Sequence, residues 1–363
     1  YIYDGKEKKP DVTVKYGYAT LQQGTDYTVE YSNNVKAGTA TVTIKGTGIY
    51  SGTVSKNFEI KEALYTVYGY QVVINGNFDL KYYIDLSKEA ANDTDAYIEF
   101  KVGDRIQKVK QRETSNGHYV YTCEVPVAQI GDKVTATLYY KDKSYALTQY
   151  SVKDYLNTIV QNKDKKEEYG KAADIASAIL NYGARAQLYF GYKTDSLVNS
   201  ALSDAEIKKV DSILAQDIKN AITNKESGVL ENNDFKYYGA SLVCKSDTGM
   251  KLYFENKNSL SLKEIEKKYD ISVKDYKKQV SKSINGNVIC ITINDLNATE
   301  LDDNFVVQIT NKQNSSQSMS VSTSPYIYIK KSMDSGDEKL INLSKAMYWY
   351  SQKAMEYSMT ENR

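Results

Sequence analysis

A chain of 363 residues, 41% hydrophobic and 26% charged, has the length and the apolar content for more than one packed core, which excludes disorder as its general state. Its net charge is +1, and only Arg105, Arg112, Arg185 and Arg363 among its 47 cationic residues are arginine, which argues against nucleic acid as a partner. No stretch near 18 residues is free of charge, so no membrane insertion is expected.

The opening Tyr1-Ile2-Tyr3-Asp4-Gly5, with neither initiator methionine nor signal peptide, reads as the start of an excised or processed piece. Residues 1–61 alternate apolar and polar side chains over 12–16, 27–31, 40–44 and 54–60. A period of two puts every second side chain on one face, which predicts half-buried strands. Asn33-Asn34 and Gly46-Thr47-Gly48 supply turn residues between them, and strands at this spacing predict a small sandwich. Gly24-Thr25-Asp26-Tyr27, Asn33-Asn34, Gly38-Thr39-Ala40 and the run from Gly46 to Thr53 resemble the bacterial Ig-like repeat of Gram-positive cell-surface proteins. That resemblance implies an extracellular stalk or adhesive module.

From the mid-sixties onward the sequence repeats itself. Tyr68-Gly69 followed by Leu80-Lys81-Tyr82-Tyr83-Ile84 matches Tyr238-Gly239 followed by Met250-Lys251-Leu252-Tyr253-Phe254, 170 residues on. Asn116-Gly117-His118 then matches Asn285-Gly286-Asn287, and Asp132-Lys133-Val134 matches Asp303-Asn304-Phe305. Each copy next reaches a short helix with a serine start, at Ser151-Val152 or Ser324-Pro325, the proline suiting a first helical position.

A longer helix closes each copy. Its apolar positions are Ala172, Ile175, Ile179, Tyr182, Ala186 and Tyr189 in the first, and Leu340, Leu343, Met347, Tyr350, Ala354 and Tyr357 in the second. Steps of 3 and 4 form one helical stripe, whose expected partner is the unit's own sheet. Between the copies, Ser203-Asp204-Ala205-Glu206 carries a capping-box pattern, and Ile207, Val210, Leu214 and Ile218 predict one amphipathic helix docked on a unit. Asn224 to Asn233 reads as a polar linker.

The expected architecture is therefore mainly β and multidomain. It comprises an Ig-like β-sandwich over 1–61, a β-sandwich-plus-helices (α+β) unit over 64–193, a helical linker over 194–233 and a homologous unit over 234–363. The closing segments 178–184 and 345–351, with Tyr238-Gly239-Ala240-Ser241-Leu242, resemble the recurring C-terminal modules of large surface proteins from gut Gram-positive anaerobes. That resemblance implies a location, extracellular or cell-surface, more than a chemistry.

Catalytic constellations are scarce. The single histidine, His118, follows a turn and has Asn287 as its counterpart, so it reads as a polar turn-edge residue. No Gly-x-Ser-x-Gly, HExxH or glycine-rich phosphate loop occurs. Asp93-Thr94-Asp95 and Asp302-Asp303 lack a calcium-loop pattern and read as exposed loop acids, and the run from Lys163 to Glu168 as solvated charge. Arg185 reads as a cation at the edge of the helical stripe. Cys123, Cys244 and Cys290 match no metal or redox spacing; Cys244 and Cys290, both in expected strands of the last unit, are the candidate disulfide pair, with buried thiols as the default. No catalytic, cofactor-binding, metal-ligating or ligand-binding residue is assigned, and no cofactor is expected.

The 34 tyrosines beside 7 phenylalanines and one tryptophan suit half-buried strands and adaptable contact faces. Three functions compete. One is a monomeric, non-catalytic adhesive region engaging a host extracellular protein or glycoprotein, an immunoglobulin among the candidates. Another is a carbohydrate-binding accessory to a secreted enzyme, with Tyr119, Tyr121, Tyr139, Tyr140 or Tyr145 supplying a stacking platform and Trp349 packing rather than stacking on sugar. The third is a passive spacer.

Overall fold

The computed structural model describes residues 1–363 apart from 76, 111–112, 166, 245–247, 278–279 and 362–363. The protein is mainly β, with 38% of residues in strands and 28% in helices, and among the described residues the strands form six sheets.

The N-terminal part contains a two-residue hairpin, β1 (Lys15–Tyr16) with β2 (Ala19–Thr20), and an antiparallel sheet of β3 (Tyr27–Ser32), β4 (Gly38–Gly46) and β5 (Thr53–Ile60). The alternation over 12–16 yields strand pairing only at its last two residues. The segment before it is instead tied to the sheet by single contacts: the Tyr31 hydroxyl donates to the Pro10 carbonyl at 2.6 Å, and the Asn34 amide donates to the Lys8 carbonyl at 3.1 Å. Tyr27, Ala40, Val42 and Ile60 are its buried apolar side chains, a small core for sixty residues.

The first unit opens with β6 (Tyr65–Asn75), β7 (Asn77–Leu86), α1 (Lys88–Ala91), β8 (Tyr97–Val102) and β9 (Arg105–Val109). It continues through β10 (Glu113–Ser115), β11 (His118–Val125), β12 (Thr135–Tyr140), β13 (Lys143–Ala146), α2 (Val152–Gln161) and α3 (Glu167–Phe190). Sheets of order β10-β11-β7-β6 and β13-β12-β8-β9 bring their apolar faces together, with Tyr82 and Phe100 rings 5.2 Å apart between them. Leu80, Tyr82 and Ile84 on β7 and Ile98, Phe100 and Val102 on β8 are buried, as period-two alternation requires.

The connecting region carries α4 (Asp204–Asp211), α5 (Ala215–Ala221) and β14 (Ser227–Val229). The capping box forms as the sequence implies, the Glu206 amide donating to Ser203 Oγ while the Glu206 carboxylate accepts from the Ser203 amide. The single helix expected from there to Ile218 is broken, because the first helix ends at Ser212 and Leu214 caps the second with extended backbone, leaving its side chain exposed. The polar linker holds a strand: β14 pairs with the second unit's β21 (Met319–Thr323). Gly228 makes this close approach, since its φ is +108° and an added Cβ would lie 2.1 Å from the Ser320 carbonyl oxygen.

The second unit begins with β15 (Phe235–Val243), β16 (Gly249–Asn256), α6 (Leu262–Lys268) and β17 (Tyr269–Val273). It ends with β18 (Val280–Asn285), β19 (Val288–Ile293), β20 (Phe305–Asn311), β21, α7 (Pro325–Ser332) and α8 (Glu338–Glu361). Its sheets, β15-β16-β19-β18 and β14-β21-β20-β17, repeat the first unit's topology with one change: β9 is missing from one edge and β14 is added at the other. Both short helices start as expected, Ser151 Oγ accepting from the Asp154 amide and Ser324 Oγ from the Ile327 amide, with Pro325 at the first turn.

The closing helices meet each other as well as their own units, the Tyr182 ring of α3 lying 6.5 Å from Phe78 of β7. The stripes of α3 and α8 pack on each other, with Tyr182 and Tyr350 stacked at 5.7 Å and 19°. These two residues are counterparts in the repeat, so an approximate twofold axis passes between them. The first half of α3 faces the last half of α8, and Tyr189 near the end of α3 lies with Leu340 and Leu343 near the start of α8, so the helices are antiparallel. The shorter α2 and α7 lie against β6 and β15. One continuous apolar core runs through both units and includes no residue of 1–61.

Candidate binding surface

Fifteen large apolar side chains are exposed among the described residues, and eight of them fall within residues 1–61, which directs attention to that part. Four aromatic or aliphatic groups collect at one end of its sheet. Tyr16 and Tyr18 flank Gly17 in the β1–β2 hairpin, and Ile49 and Tyr50 sit in the Gly46–Gly52 loop. Tyr16 and Tyr50 meet edge to face at 5.7 Å, joining the two loops. Tyr18 is fully exposed and Ile49 is 92% exposed.

Glycines make this possible. Gly17, Gly48 and Gly52 all have positive φ, so the chain reverses tightly and drives the intervening side chains outward. The loop is pinned from behind: the Thr47 hydroxyl donates to the Thr25 carbonyl at 2.7 Å, and the Thr47 amide to the Asp26 carbonyl at 2.9 Å. Aromatic groups on loops held by a rigid sheet lose little conformational entropy on docking, as in antibody loops.

A second exposed feature recurs in both units. Strand pairing shifts between Val67 and Gly69, and again between Tyr237 and Gly239, so Tyr68 and Tyr238 are the extra residues of equivalent β-bulges. Both are more than half exposed. Tyr68 reaches across β7 and stacks on His118 at 3.9 Å, and His118 Nδ1 lies 2.6 Å from Asp85 Oδ1. In the second unit the matching carboxylate, Glu255, bonds Tyr238 itself, and its proximity raises that phenol's pKa.

Strand register corrects the counterpart of His118. His118 lies opposite Asp85 and Val288 opposite Glu255, so Val288, not Asn287, holds the equivalent position. The turns differ accordingly, Asn116-Gly117 in one copy and Gly286-Asn287 in the other.

The other residues singled out from sequence do not converge. Tyr121 and Tyr140 are buried and so offer no face to a sugar, while Tyr139 stacks on Tyr97 at 4.8 Å and Tyr145 edges Tyr65 at 6.4 Å. Trp349 is half-buried beneath the Lys353 ammonium at 4.6 Å. Arg185 pairs with Asp211 and fastens α3 to α4, a tertiary link rather than a loose edge cation. Asp93 accepts from the Asp95 amide at 2.8 Å, while Asp302 offers its carbonyl to Asn224 at 2.8 Å. In the charged run, Lys163 lies 3.6 Å from Glu206, Lys166 is outside the described residues, and so are the side chains of Glu167 and Glu168. Arg112 and Arg363 are likewise outside them.

All three cysteines are free thiols. Cys290 lies two strands from β15, opposite Tyr253, whereas Cys244 follows the Val243–Gly249 pair. Four residues along a sheet is about 13 Å, beyond the reach of a disulfide. Burial pushes the Cys123 thiol up to about 12 and the Cys244 thiol up to about 11, which leaves both protonated and unreactive. Among the described residues no group of three or more His, Cys, Asp or Glu is placed to hold a metal ion, and no helix is long and apolar enough to cross a membrane. No family model matches the chain, and comparison with functionally characterised proteins likewise finds no match.

Proposed function

We propose that the chain is an extracellular, non-catalytic binding region of a bacterial surface protein, and that its partner is a host protein or glycoprotein. The observation that carries this reading is the cluster of Tyr16, Tyr18, Ile49 and Tyr50 on glycine-tipped loops at one end of the N-terminal sheet. Solvent-exposed rings and an isoleucine are unfavourable in water and become favourable once a partner covers them. The Ig-like resemblance of residues 1–61 and the duplicated unit behind them fit a displayed module on a stiff support. A double substitution, Y18A with I49S, removes the two most exposed groups without touching the buried core. Affinity capture from mucosal secretions should enrich a discrete partner on the native chain and retain at least about tenfold less on the variant. Equal retention by both chains would refute the assignment of this surface.

A glycan reading draws on a different feature, the exposed Tyr68 ring stacked on His118 beside Asp85. Sugars stack on such rings while a carboxylate accepts their hydroxyls. A glycan array probed with the native chain and with Y68A separates the two: signal lost in Y68A and kept in Y18A/I49S assigns recognition to the bulge.

A further inference from the structure

The topological difference between the units falls at a sheet edge, and it leaves a surface open in the first. In the second unit β14 covers the edge of β21, whereas β13, the counterpart of β21, has no strand beyond it. Register fixes the equivalence, starting from the matched Val134 and Phe305. Leu138 pairs with Tyr145 as Ile309 pairs with Met319, so Ala146 stands where the second unit has Ser320, and Thr148 stands level with Ser322. β14 runs along those two serines, with Val229 opposite Ser320 and Ser227 opposite Ser322.

The same backbone in the first unit is turned to receive a strand. The Leu147 amide donates inward to the Ala136 carbonyl at 2.8 Å, and alternation along an antiparallel ladder turns the amides and carbonyls of Ala146 and Thr148 the other way. Two tyrosines of β6 take the carbonyls: the Tyr65 hydroxyl donates to Ala146 at 2.7 Å and the Tyr70 hydroxyl to Thr148 at 3.4 Å. Their counterparts in the second unit, Phe235 and Ala240, carry no hydroxyl. The hydroxyls thus occur where the added strand is missing, in place of its amides. The amides of Ala146 and Thr148 stay turned outward, on residues that are both exposed. Ser144 to Thr148 contains neither proline nor charge, two of the devices that keep a sheet edge from pairing. Tyr145 beside Tyr65, and Tyr150 stacked on Tyr70 at 4.2 Å, extend a row of rings along this side.

We propose that this side of the first unit docks an extended peptide strand, and that Ser227-Gly228-Val229 shows the chemistry of the occupant: a glycine between two residues whose amides replace the tyrosine hydroxyls. Each flanking residue donates an amide to Ala146 or Thr148 and accepts one from it, the pattern of strand addition at a sheet edge. Glycine is specified because Gly228 has φ +108° and an added Cβ would collide with the Ser320 carbonyl, whose counterpart is the Ala146 carbonyl. This site is separate from the loop surface of residues 1–61.

The test uses the full chain and a fluorescein-labelled synthetic peptide copying residues 224–233. Fluorescence anisotropy should show saturable binding to the native chain. A peptide N-methylated at the positions copying Ser227 and Val229 lacks both donors and should bind at least about tenfold more weakly, as should one with alanine for the central glycine. On the protein, A146P removes an outward amide, which an edge strand tolerates, and should weaken binding about tenfold with far-UV circular dichroism unchanged. Y65F/Y70F removes the hydroxyls that compete for the carbonyls and should tighten binding by about threefold or more. Absence of saturable binding to the native chain overturns the proposal. So does undiminished binding by folded A146P, which would place the peptide elsewhere, in exchange for β14 itself. If A146P does not fold, the N-methylated peptide decides, and affinity equal to that of the unmodified peptide overturns the proposal.

Discussion

Two buried tyrosines show how much a hydroxyl's surroundings matter. Tyr182 is fully buried, and its hydroxyl faces only the sulfur of Cys244, a weak partner. Tyr326 is also buried, but its hydroxyl meets Ser351 Oγ at 3.0 Å and Gln352 Nε2 at 2.8 Å. Y182F should therefore change stability by no more than about 0.5 kcal/mol, whereas Y326F should lower it by about 1–2 kcal/mol, as urea denaturation would measure. Burial also pushes the Tyr326 phenol up to about 12 from its ordinary 10.0, and the Cys123 thiol up to about 12 from 9.0. The folded state keeps protons that the unfolded chain releases, so these groups' contribution to stability is intact below pH 9 and is lost as pH climbs toward 12. Urea midpoints at pH 8 and pH 11 should differ accordingly, the second being lower; equal midpoints would contradict this account.

At the scale of elements, the contact between α3 and α8 is the one on which the two units depend. Y350A removes a ring that touches Tyr182 and Phe78 and should cost about 3–5 kcal/mol, with the helices of both units losing amide protection together in hydrogen exchange. Selective loss in the second unit alone would show that the core is not shared. The helical stripe itself was legible in the sequence because a 3–4 spacing reports which face is buried. It does not report against what, and the partner lay 168 residues away. Register was less legible still: aligning Asn116-Gly117 with Asn285-Gly286 slips the copies by one residue, which swaps the two faces of a strand. Tyr121 and Cys123 are buried as Ile291 and Ile293 are, and matching these buried positions restores the offset of 170. β14 escaped notice because Ser227-Gly228-Val229 has neither length nor alternation; an edge strand is created by its neighbour. The loop surface was hidden for a similar reason. Tyr16, Tyr18, Ile49 and Tyr50 belong to two segments that only the folded sheet brings to one end.

For the whole molecule, the distribution of buried apolar residues divides the chain unequally. Residues 1–61 hold a small core of their own, while one continuous core runs through both later units beside a small satellite cluster of Ala90, Ala96 and Tyr140. Small cores leave little margin over chain entropy. Differential scanning calorimetry should resolve a small, low-enthalpy transition for the N-terminal part and one larger cooperative transition for the rest. Three comparable transitions would mean that the units melt separately. The meeting of Tyr182 with Tyr350 also bears on how the copies have diverged. A position on the axis confronts its own duplicate, so any change there has to suit both copies at once. A position near the helix ends confronts a different residue and is free to drift alone. Toward the ends, Ala172 has parted from Leu340 and Ser358 from Phe190. A pair on the axis changes only against its own duplicate, and there Tyr182 and Tyr350 present the same ring to each other.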